Sequence, residues 1–257
     1  MATEHQPWQK VALKNFKDQI NSRKHEFSSG DPFPHIYLDN VFPESFVTRL
    51  LSEFPHEDDA IWDRSFIEDI QVKLRTNWKS ELDMTDSARE LIHFLNSGEF
   101  LKAVSELTGI ERLISDPYLT GGGLNCILPG GLLDVHADGN WHDDMGVHRR
   151  LNAILYLNRN WRSEWGGQFE LWDRELKGCE AKIEPLANRL MIFETHDFSY
   201  HGHPHPLQCP EGNSRKSAIV YYYTSEPRPQ DQILRSEPHR ALWRRRDLNQ
   251  LDQKSQK

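Results

Sequence analysis

The sequence predicts a mainly β protein with flanking helices, and three observations support that fold class. Apolar runs before about residue 110 recur at helical spacing. Short β-like runs follow from about residue 119, separated by Gly, Pro, Asn and Asp clusters, as in an antiparallel sandwich or barrel. Eight such runs suit a double-stranded β-helix, or jelly roll. They lie near residues 124–128, 132–137, 151–157, 168–173, 179–185, 189–194, 198–202 and 215–224.

Helices are expected before and after this core. Within residues 1–30, apolar side chains four apart from Trp8 to Ile20 predict an amphipathic helix. A second helix should open at Pro43 and close at Pro55. The remaining expectations are a short β-like stretch at Ile36–Leu38, a helical region over 86–108 and a closing helix in the tail SEPHRALWRRRDLNQ, followed by a disordered polar end.

One domain is expected, because 257 residues at 37% hydrophobic content suffice for one substantial core. Within it we assign residues 1–115 to a helical N-terminal support region, 116–226 to the jelly-roll core and 227–257 to a C-terminal tail. The sequence does not indicate an oligomeric state.

Composition narrows the classes of partner. A net charge of −8 offers no basic surface for a phosphate backbone, so nucleic acid is not an expected partner. No apolar run approaches the roughly 20 residues that span a bilayer, and the first residues lack a signal peptide's apolar segment. Three widely spaced cysteines suggest reduced thiols. We therefore expect a cytoplasmic protein that does not bind membranes.

Three His-x-Asp pairs begin at His56, His136 and His142, and composition alone predicts roughly two. Context separates them. The first pair follows a helix-ending proline in a charged run, which is typical of a solvated loop. His136 and Asp138 end the strand-like run LLDVHAD, where residues i and i+2 share a face, so both can reach one ion.

The third pair lies in a polar loop that does not fix its direction. His142, Asp143, Asp144 and His148 could contact substrate, although a plain surface loop is favoured for each. Together with Arg149 they hint at a polar or cationic small molecule.

A third metal ligand should come from FETHDFSYHGHPHPL. His201 follows a strand-like run and ranks first, and His203 ranks second because it alternates with prolines. Two imidazoles and one carboxylate leave coordination positions open, which suits a non-haem Fe(II) oxygenase. Zinc accepts the same ligands and is the competing metal.

Arg215 follows His201 by fourteen residues and opens the strand RKSAIVYYYT, with Ser217 on the same face. An arginine and a hydroxyl can bind a carboxylate in bidentate fashion, as the far end of a dicarboxylic cosubstrate requires. A hydrolase has no need of such a clamp.

These stretches resemble the 2-oxoglutarate- and Fe(II)-dependent dioxygenases of the prolyl 4-hydroxylase-like branch. The resemblance is carried over about residues 120–224 by LPGGLLDVHADGN, HRRLNAILYLNRNW, WGGQFELWD, NRLMIFETHDFSYHGHPHPL and NSRKSAIVYYYT. It implies that His136, Asp138 and His201 bind the iron, and that Arg215 and Tyr156 hold the far carboxylate of 2-oxoglutarate.

The resemblance also implies the reaction, which is hydroxylation of an unactivated C–H bond with conversion of 2-oxoglutarate and O2 to succinate and CO2, with ascorbate as a possible supporting reductant. Asn125 is a possible counterpart of the family's polar residue on the preceding strand. The substrate would be an amino acid, a peptidyl residue or a small natural product. Two rivals are a metal-binding, cupin-like binder or sensor without turnover, and a zinc hydrolase, for which the chain lacks an HExxH motif.

Overall fold

The computed structural model describes residues 7–67 and 70–243, and it confirms the mainly β fold class. Its strands pair into one curled antiparallel sheet. In chain order they are β1 (His35–Asp39), β2 (Trp62–Ile67), β3 (Gln71–Thr76), β4 (Ile114–Ser115), β5 (Gly123–Ile127), β6 (Leu132–Ala137), β7 (Trp141–His142), β8 (Val147–Tyr156), β9 (Phe169–Trp172), β10 (Cys179–Ile183), β11 (Arg189–Glu194), β12 (His201–His203), β13 (Arg215–Thr224) and β14 (Leu242–Trp243).

The order of strands explains how the sheet closes around a cavity. Hydrogen-bonded neighbours run β1-β11-β8-β13-β5-β3-β6-β12-β9-β10. Strands β8 and β13 form the longest ladder, while β6, β12 and β9 form the facing part. Strand β3 joins the two parts, because it pairs with β5 at Leu74 and Arg75 and with β6 at Gln71 and Val72. Side chains that point inward from all of them share one interior.

The helices pack on the outer side of the long-stranded part. They are α1 (Trp8–Ile20), α2 (Lys24–Ser28), α3 (Glu44–Ser52), α4 (Asp86–Leu95) and α5 (Gly98–Thr108). Their apolar faces join the sheet in the largest core cluster, in which Phe16 and Phe100 are fully buried with ring centroids 4.9 Å apart. The Tyr222 hydroxyl donates to the Leu95 carbonyl at 2.9 Å, which fixes α4 to β13.

The helical region expected over 86–108 is interrupted. Ser97 caps α5, since its Oγ accepts a hydrogen bond from the Phe100 amide at 3.3 Å. The Ser97 cap thus divides a continuous apolar pattern into the two shorter helices α4 and α5. Similarly, the expected helix within residues 1–30 is divided into α1 and α2 around Asn21 and Arg23.

Several parts of the β structure differ from expectation: the two-residue strands β4 and β7 were not expected, and two larger differences are the hairpin β2–β3 and residues 236–243. The hairpin β2–β3 has no counterpart in the eight expected strands, because its side chains are mostly polar or half-buried and give no apolar run. The closing helix is wrong over residues 236–243, which bend, run without regular structure and end in β14. Pairing of β14 with β6 at Ala137 and His136 outweighs the helical pattern there. The remainder of that expectation lies outside the described residues.

Among the described residues, no helix combines the length and apolar character that crossing a bilayer requires. The three cysteines are unbridged.

Candidate active site

Two histidines and one aspartate converge at one end of the interior cavity. His136, Asp138 and His201 each offer one ligand atom, and these atoms lie within 4.8 Å of one another. Nε2 of His136 is 3.5 Å from Oδ1 of Asp138, and Nε2 of His201 is 3.5 Å from Oδ2. Both imidazoles are almost fully buried. The spacing and donor set fit one divalent ion.

Strand pairing produces this convergence from distant parts of the chain. His136 lies near the end of β6, and His201 begins β12 directly opposite it in the antiparallel register. Asp138 follows two residues after His136, just beyond the strand. The pairing therefore fixes the His201 side chain against the His136 and Asp138 pair.

Backbone hydrogen bonds orient both imidazole rings. Nδ1 of His136 donates to the Asp134 carbonyl at 2.8 Å, and Nδ1 of His201 donates to the Ser199 carbonyl at 2.9 Å. A carbonyl only accepts, so the proton sits on Nδ1 and leaves the lone pair on Nε2. Burial, opposed by Asp138, lowers the pKa of His201 to about 4, which keeps that ring neutral. Neutral rings with free Nε2 atoms are the form that binds metal.

The carboxylate of Asp138 is held by two donors that the sequence did not reveal. The Asn152 side-chain amide donates to Oδ2 at 2.6 Å, and the Arg149 guanidinium donates to it at 3.2 Å. Burial alone would raise the pKa of Asp138, but Arg149 and the imidazoles outweigh it, so the pKa lies well below its ordinary value. Arg149 in turn stacks on Tyr221, with its guanidinium carbon 3.4 Å from the ring centroid.

Arg215 and Tyr156 lie together at the other end of the cavity. The Arg215 guanidinium donates through Nε to the Gly167 carbonyl at 2.7 Å and through Nη2 to the Tyr156 hydroxyl at 3.4 Å. Both side chains are almost fully buried, and burial lowers the pKa of Arg215. No acidic side chain among the described residues pairs with it. A buried guanidinium without a counter-ion favours binding of an anion.

One cavity of about 560 Å³, counting the space at its open mouth, contains both groups. Asn125 and Ser217 also face it, and they are opposite each other in the β5–β13 register. His203 lines its wall beyond His201 but is not in the metal-ligand cluster. The candidate cluster thus contains His201 and not His203, and His201 as the distal metal ligand stays a prediction.

The other polar loop residues lie elsewhere. His142 is buried with Nε2 3.2 Å from Oδ1 of Asp116, and Asp143 and Asp144 are exposed. None of these, nor His148, lines the cavity, and the pair that begins at His56 is exposed. The hint of a polar or cationic substrate therefore loses four of its five residues, and the fifth, Arg149, donates to Asp138.

Three polar residues that line the cavity were not predicted from the sequence: Lys73, Asn152 and Tyr221. Arg149 was expected to contact substrate, and its bond to Asp138 was not predicted. Two of the three lining residues carried a usable signal, because strand alternation places Asn152 on the face of Tyr156 and Tyr221 on the face of Arg215. Lys73 had no such signal, since the hairpin that carries it was not expected.

Comparison with known proteins agrees with this geometry. Residues 122–223 match the 2OG-Fe(II) oxygenase superfamily. Prolyl hydroxylase EGLN3 of mouse is 33% identical over 84 residues, which are 32% of this chain and 33% of that protein. The human protein is 32% identical over 83 residues, with the same two shares. The match thus spans about a third of the length of these relatives.

Solved structures share the fold. A Trichoplax adhaerens prolyl hydroxylase, solved with a hypoxia-inducible-factor peptide fragment, has a TM-score of 0.60 at 18% identity, covering 82% of this chain and 91% of its own. A Pseudomonas putida prolyl-4-hydroxylase has a TM-score of 0.58 at 17% identity, covering 80% and 100%. HygX from Streptomyces hygroscopicus, with nickel, 2-oxoglutarate and hygromycin B bound, has a TM-score of 0.51 at 12% identity, covering 79% and 87%.

Residues 122–223 therefore carry the similarity to the 2OG-Fe(II) oxygenase superfamily. The sequence similarity is to prolyl hydroxylases and the fold is shared with prolyl 4-hydroxylases, and the donor set of His136, Asp138 and His201 is consistent with Fe(II).

Proposed function

We propose that this protein is a hydroxylase that couples oxidative decarboxylation of 2-oxoglutarate to hydroxylation of a C–H bond. The observation that carries this proposal is a two-histidine, one-carboxylate cluster in the same cavity as the buried Arg215–Tyr156 pair. The first group fits a redox-active divalent metal and the second fits a carboxylate. Overall, substrate, O2 and 2-oxoglutarate would give hydroxylated substrate, succinate and CO2, which balances both oxygen atoms.

The chain's own residues would divide the work between binding and orientation. His136, Asp138 and His201 would hold the iron, with Asn152 and Arg149 keeping Asp138 ionised and correctly turned. When bound, iron supplies the redox chemistry that amino-acid side chains lack.

The cosubstrate would be fixed at its far end. Arg215 and Tyr156 would donate hydrogen bonds to its distal carboxylate, with Ser217 and Asn125 lining its path. The apolar wall of Ile154, Phe169 and Ile219 would exclude competing water from the reacting carbon.

The comparisons give no support to a non-catalytic cupin-like binder, and the structure argues against it. Such a protein has no use for Arg215, whose burial without a counter-ion is costly unless a carboxylate binds. A zinc hydrolase would need a general base beside the metal, and no glutamate lines the cavity among the described residues.

The substrate and the location belong to the proposal as well. An amino acid, a peptidyl residue or a small molecule would enter through the open mouth of the cavity. A cytoplasmic location is supported by the three unbridged cysteines, which a reducing compartment maintains.

The test compares two aspartates from two His-x-Asp pairs. Purified protein with Fe(II) and ascorbate should convert 2-oxoglutarate to succinate, and Asp138→Ala should abolish the conversion because the ion loses its only carboxylate. Asp144→Ala is the matched control, since Asp144 is exposed and outside the cavity. Equal turnover in both variants would refute the proposed metal ligands, and no turnover in the unaltered protein would refute the oxygenase.

A further inference from the structure

Lys73 places a cation in the cavity that the proposed reaction does not use. It lies on β3, between Val72 and Leu74, at the point where β3 changes its pairing from β6 to β5. Its side chain lines the cavity together with the metal-ligand cluster and Arg215. The hairpin β2–β3 therefore contributes a charged group to a site otherwise built by the jelly-roll core.

The ammonium group of Lys73 has no hydrogen-bond or ion-pair partner among the described residues. Burial and the charge of Arg75 lower the pKa of Lys73 to about 8, while Asp138 opposes them. The amine is therefore still mainly protonated at pH 7. A partly desolvated cation without a partner is unfavourable, and an anion that entered the cavity would offset that cost.

The other two cations near the cavity are already engaged. Arg149 donates to Asp138 and stacks on Tyr221, and Arg215 is directed to Gly167 and Tyr156 at the cosubstrate end. Among the described residues at the cavity, Lys73 is thus the cation that has no protein partner.

The formal charges of the site also favour binding of an anion. Lys73, Arg149 and Arg215 are positive and Asp138 is negative, so the site has an excess of roughly two positive charges. A divalent iron and a doubly negative 2-oxoglutarate cancel each other and leave that excess unchanged. The remaining ligand, the primary substrate, is the one that can reduce it.

Two neutral groups on the same cavity wall also lack partners. The side-chain nitrogen Nδ2 of Asn125 and both ring nitrogens of His203 are buried without a hydrogen bond in the described residues. His203 is only 3% exposed. Lys73 and Arg215 are among the charges that act on it, so it lies near both. Buried donors of this kind are normally satisfied by a ligand or by water.

We propose that Lys73, with His203 as a hydrogen-bonding neighbour, binds a carboxylate of the primary substrate, so the enzyme acts on an acid rather than on a neutral or cationic compound. This inference rests on the proposed function and adds the substrate class to it. The same chemistry could instead serve the metal-proximal carboxylate of 2-oxoglutarate, so the experiment has an arm for each source.

The first arm measures 2-oxoglutarate itself. Anaerobic calorimetry on the Mn(II)-loaded protein should give a Kd that Lys73→Met changes by less than about threefold, whereas Arg215→Met should weaken binding at least about tenfold. A tenfold loss in Lys73→Met would assign Lys73 to the cosubstrate and overturn the proposal. Failure of the unaltered protein to bind 2-oxoglutarate would instead refute the proposed function.

The second arm measures succinate release with L-proline, L-leucine and L-glutamate, each compared with its carboxamide. We expect the acids to stimulate release at least about tenfold more than the amides, because only the acids pair with Lys73. Lys73→Arg should keep that preference and Lys73→Met should lose it. Amides that stimulate as well as the acids would overturn the proposal.

A third readout does not depend on finding a substrate. Acylation of Lys73 by an acetic acid N-hydroxysuccinimide ester is followed by peptide mass spectrometry in the protein loaded with Mn(II) and 2-oxoglutarate. Acetate at a concentration of twice its Kd should slow labelling of Lys73 about threefold, and neither acetamide nor chloride at equal ionic strength should do so. Exposed Lys102 is the internal control. Equal labelling in acetate and acetamide would refute the carboxylate subsite even if no panel compound is turned over.

Discussion

Asp138 shows how single residues set the chemistry of the site. Its carboxylate lies between two imidazole Nε2 atoms and is turned by the Asn152 amide and the Arg149 guanidinium. Without those donors, burial would favour its protonated form, which is a poor metal ligand. The proposed affinity for iron therefore depends on residues that do not touch the metal.

Asn152→Ala should weaken Mn(II) binding by roughly tenfold to a hundredfold, because Asp138 would lose its shortest hydrogen bond. Anaerobic titration followed by Mn(II) electron paramagnetic resonance measures this directly. Asn21→Ala, at an exposed position after α1, should leave the affinity unchanged. An Asn152→Ala protein that binds Mn(II) as tightly as the unaltered protein would contradict the role assigned to this amide.

Lys73→Met should raise the free energy of unfolding of the ligand-free protein at pH 7 by roughly 1–2 kcal/mol, because the substitution removes an unpaired cation from a partly desolvated position. The folded-state pKa of Lys73, about 8, lies below its ordinary value of 10.5, so the unfolded chain binds the proton more tightly. The penalty is therefore complete below pH 8 and disappears as pH rises towards 10.5. Denaturant unfolding of both proteins at pH 7 and pH 10 checks the sign, and a destabilised Lys73→Met at pH 7 would contradict it.

The residues of the site differ in how well the sequence predicts them. His136, Asp138 and His201 could be selected because strand alternation and local context distinguish them from eleven other histidines and many acids. Their roles in binding metal, like those of Arg215, Tyr156, Ser217 and Asn125 in binding cosubstrate, stay predictions. Lys73 could not be selected, because the pairing that brings it into the cavity joins residues far apart in the chain.

Strand β12 is the shortest element on which the site depends. It consists of three residues, and Gly202 lies between His201 and His203 where the register with β6 shifts. A Cβ added at Gly202 would lie 2.7 Å from the Leu133 carbonyl oxygen and 2.8 Å from that of Asp134. These are backbone atoms of β6, so the close approach of the two strands requires glycine here.

Gly202→Ala should separate β12 from β6, move His201 away from His136 and weaken Mn(II) binding at least about tenfold. It should also lower the melting temperature, since the added Cβ would strain the hydrogen-bond ladder between β12 and β6. Gly98→Ala is the control, because an added Cβ there meets nothing within 4 Å. Unchanged metal affinity in Gly202→Ala would show that the strand spacing does not position the ligands.

The core strands could be predicted because their apolar runs end in turn-forming residues, and the helices because apolar side chains recur four apart. The other strands form because of pairing between residues that are far apart in the chain. Strand β14 exists because β6 offers an edge at Ala137, and β2–β3 exists because β3 fills the gap between β5 and β6. The assignment of residues 1–115, 116–226 and 227–257 to three parts of one domain stays a prediction.

At the scale of the whole molecule, the chain after β13 folds back beside the metal-ligand cluster. Buried Asp197 accepts hydrogen bonds from the Arg228 guanidinium at 2.8 Å, the His239 ring at 2.9 Å and the Leu234 amide at 2.7 Å. At the end of this segment Trp243 stacks on His136 with ring centroids 4.6 Å apart. One carboxylate thus fastens a segment that covers a metal ligand.

Asp197→Asn should destabilise this segment by about 3–5 kcal/mol at pH 7, because the buried Arg228 loses its counter-ion. Burial opposes ionisation, but His239, the Leu234 amide and Arg228 outweigh it and lower the pKa of Asp197 below 3.8. The stabilisation is therefore present above that pH and is lost as pH falls through the folded-state pKa. Hydrogen exchange of residues 226–243 should be faster in the variant at pH 7, and equal exchange would contradict the account.

The most direct test of the central claim is anaerobic calorimetry of 2-oxoglutarate binding with and without Mn(II), in the unaltered protein and in Asp138→Ala. We expect one cosubstrate per chain, bound only when metal is present, and no such binding in the variant. Binding that does not need the metal, or that survives the loss of Asp138 unchanged, would contradict the claim that His136, Asp138 and His201 form one metal centre in front of Arg215.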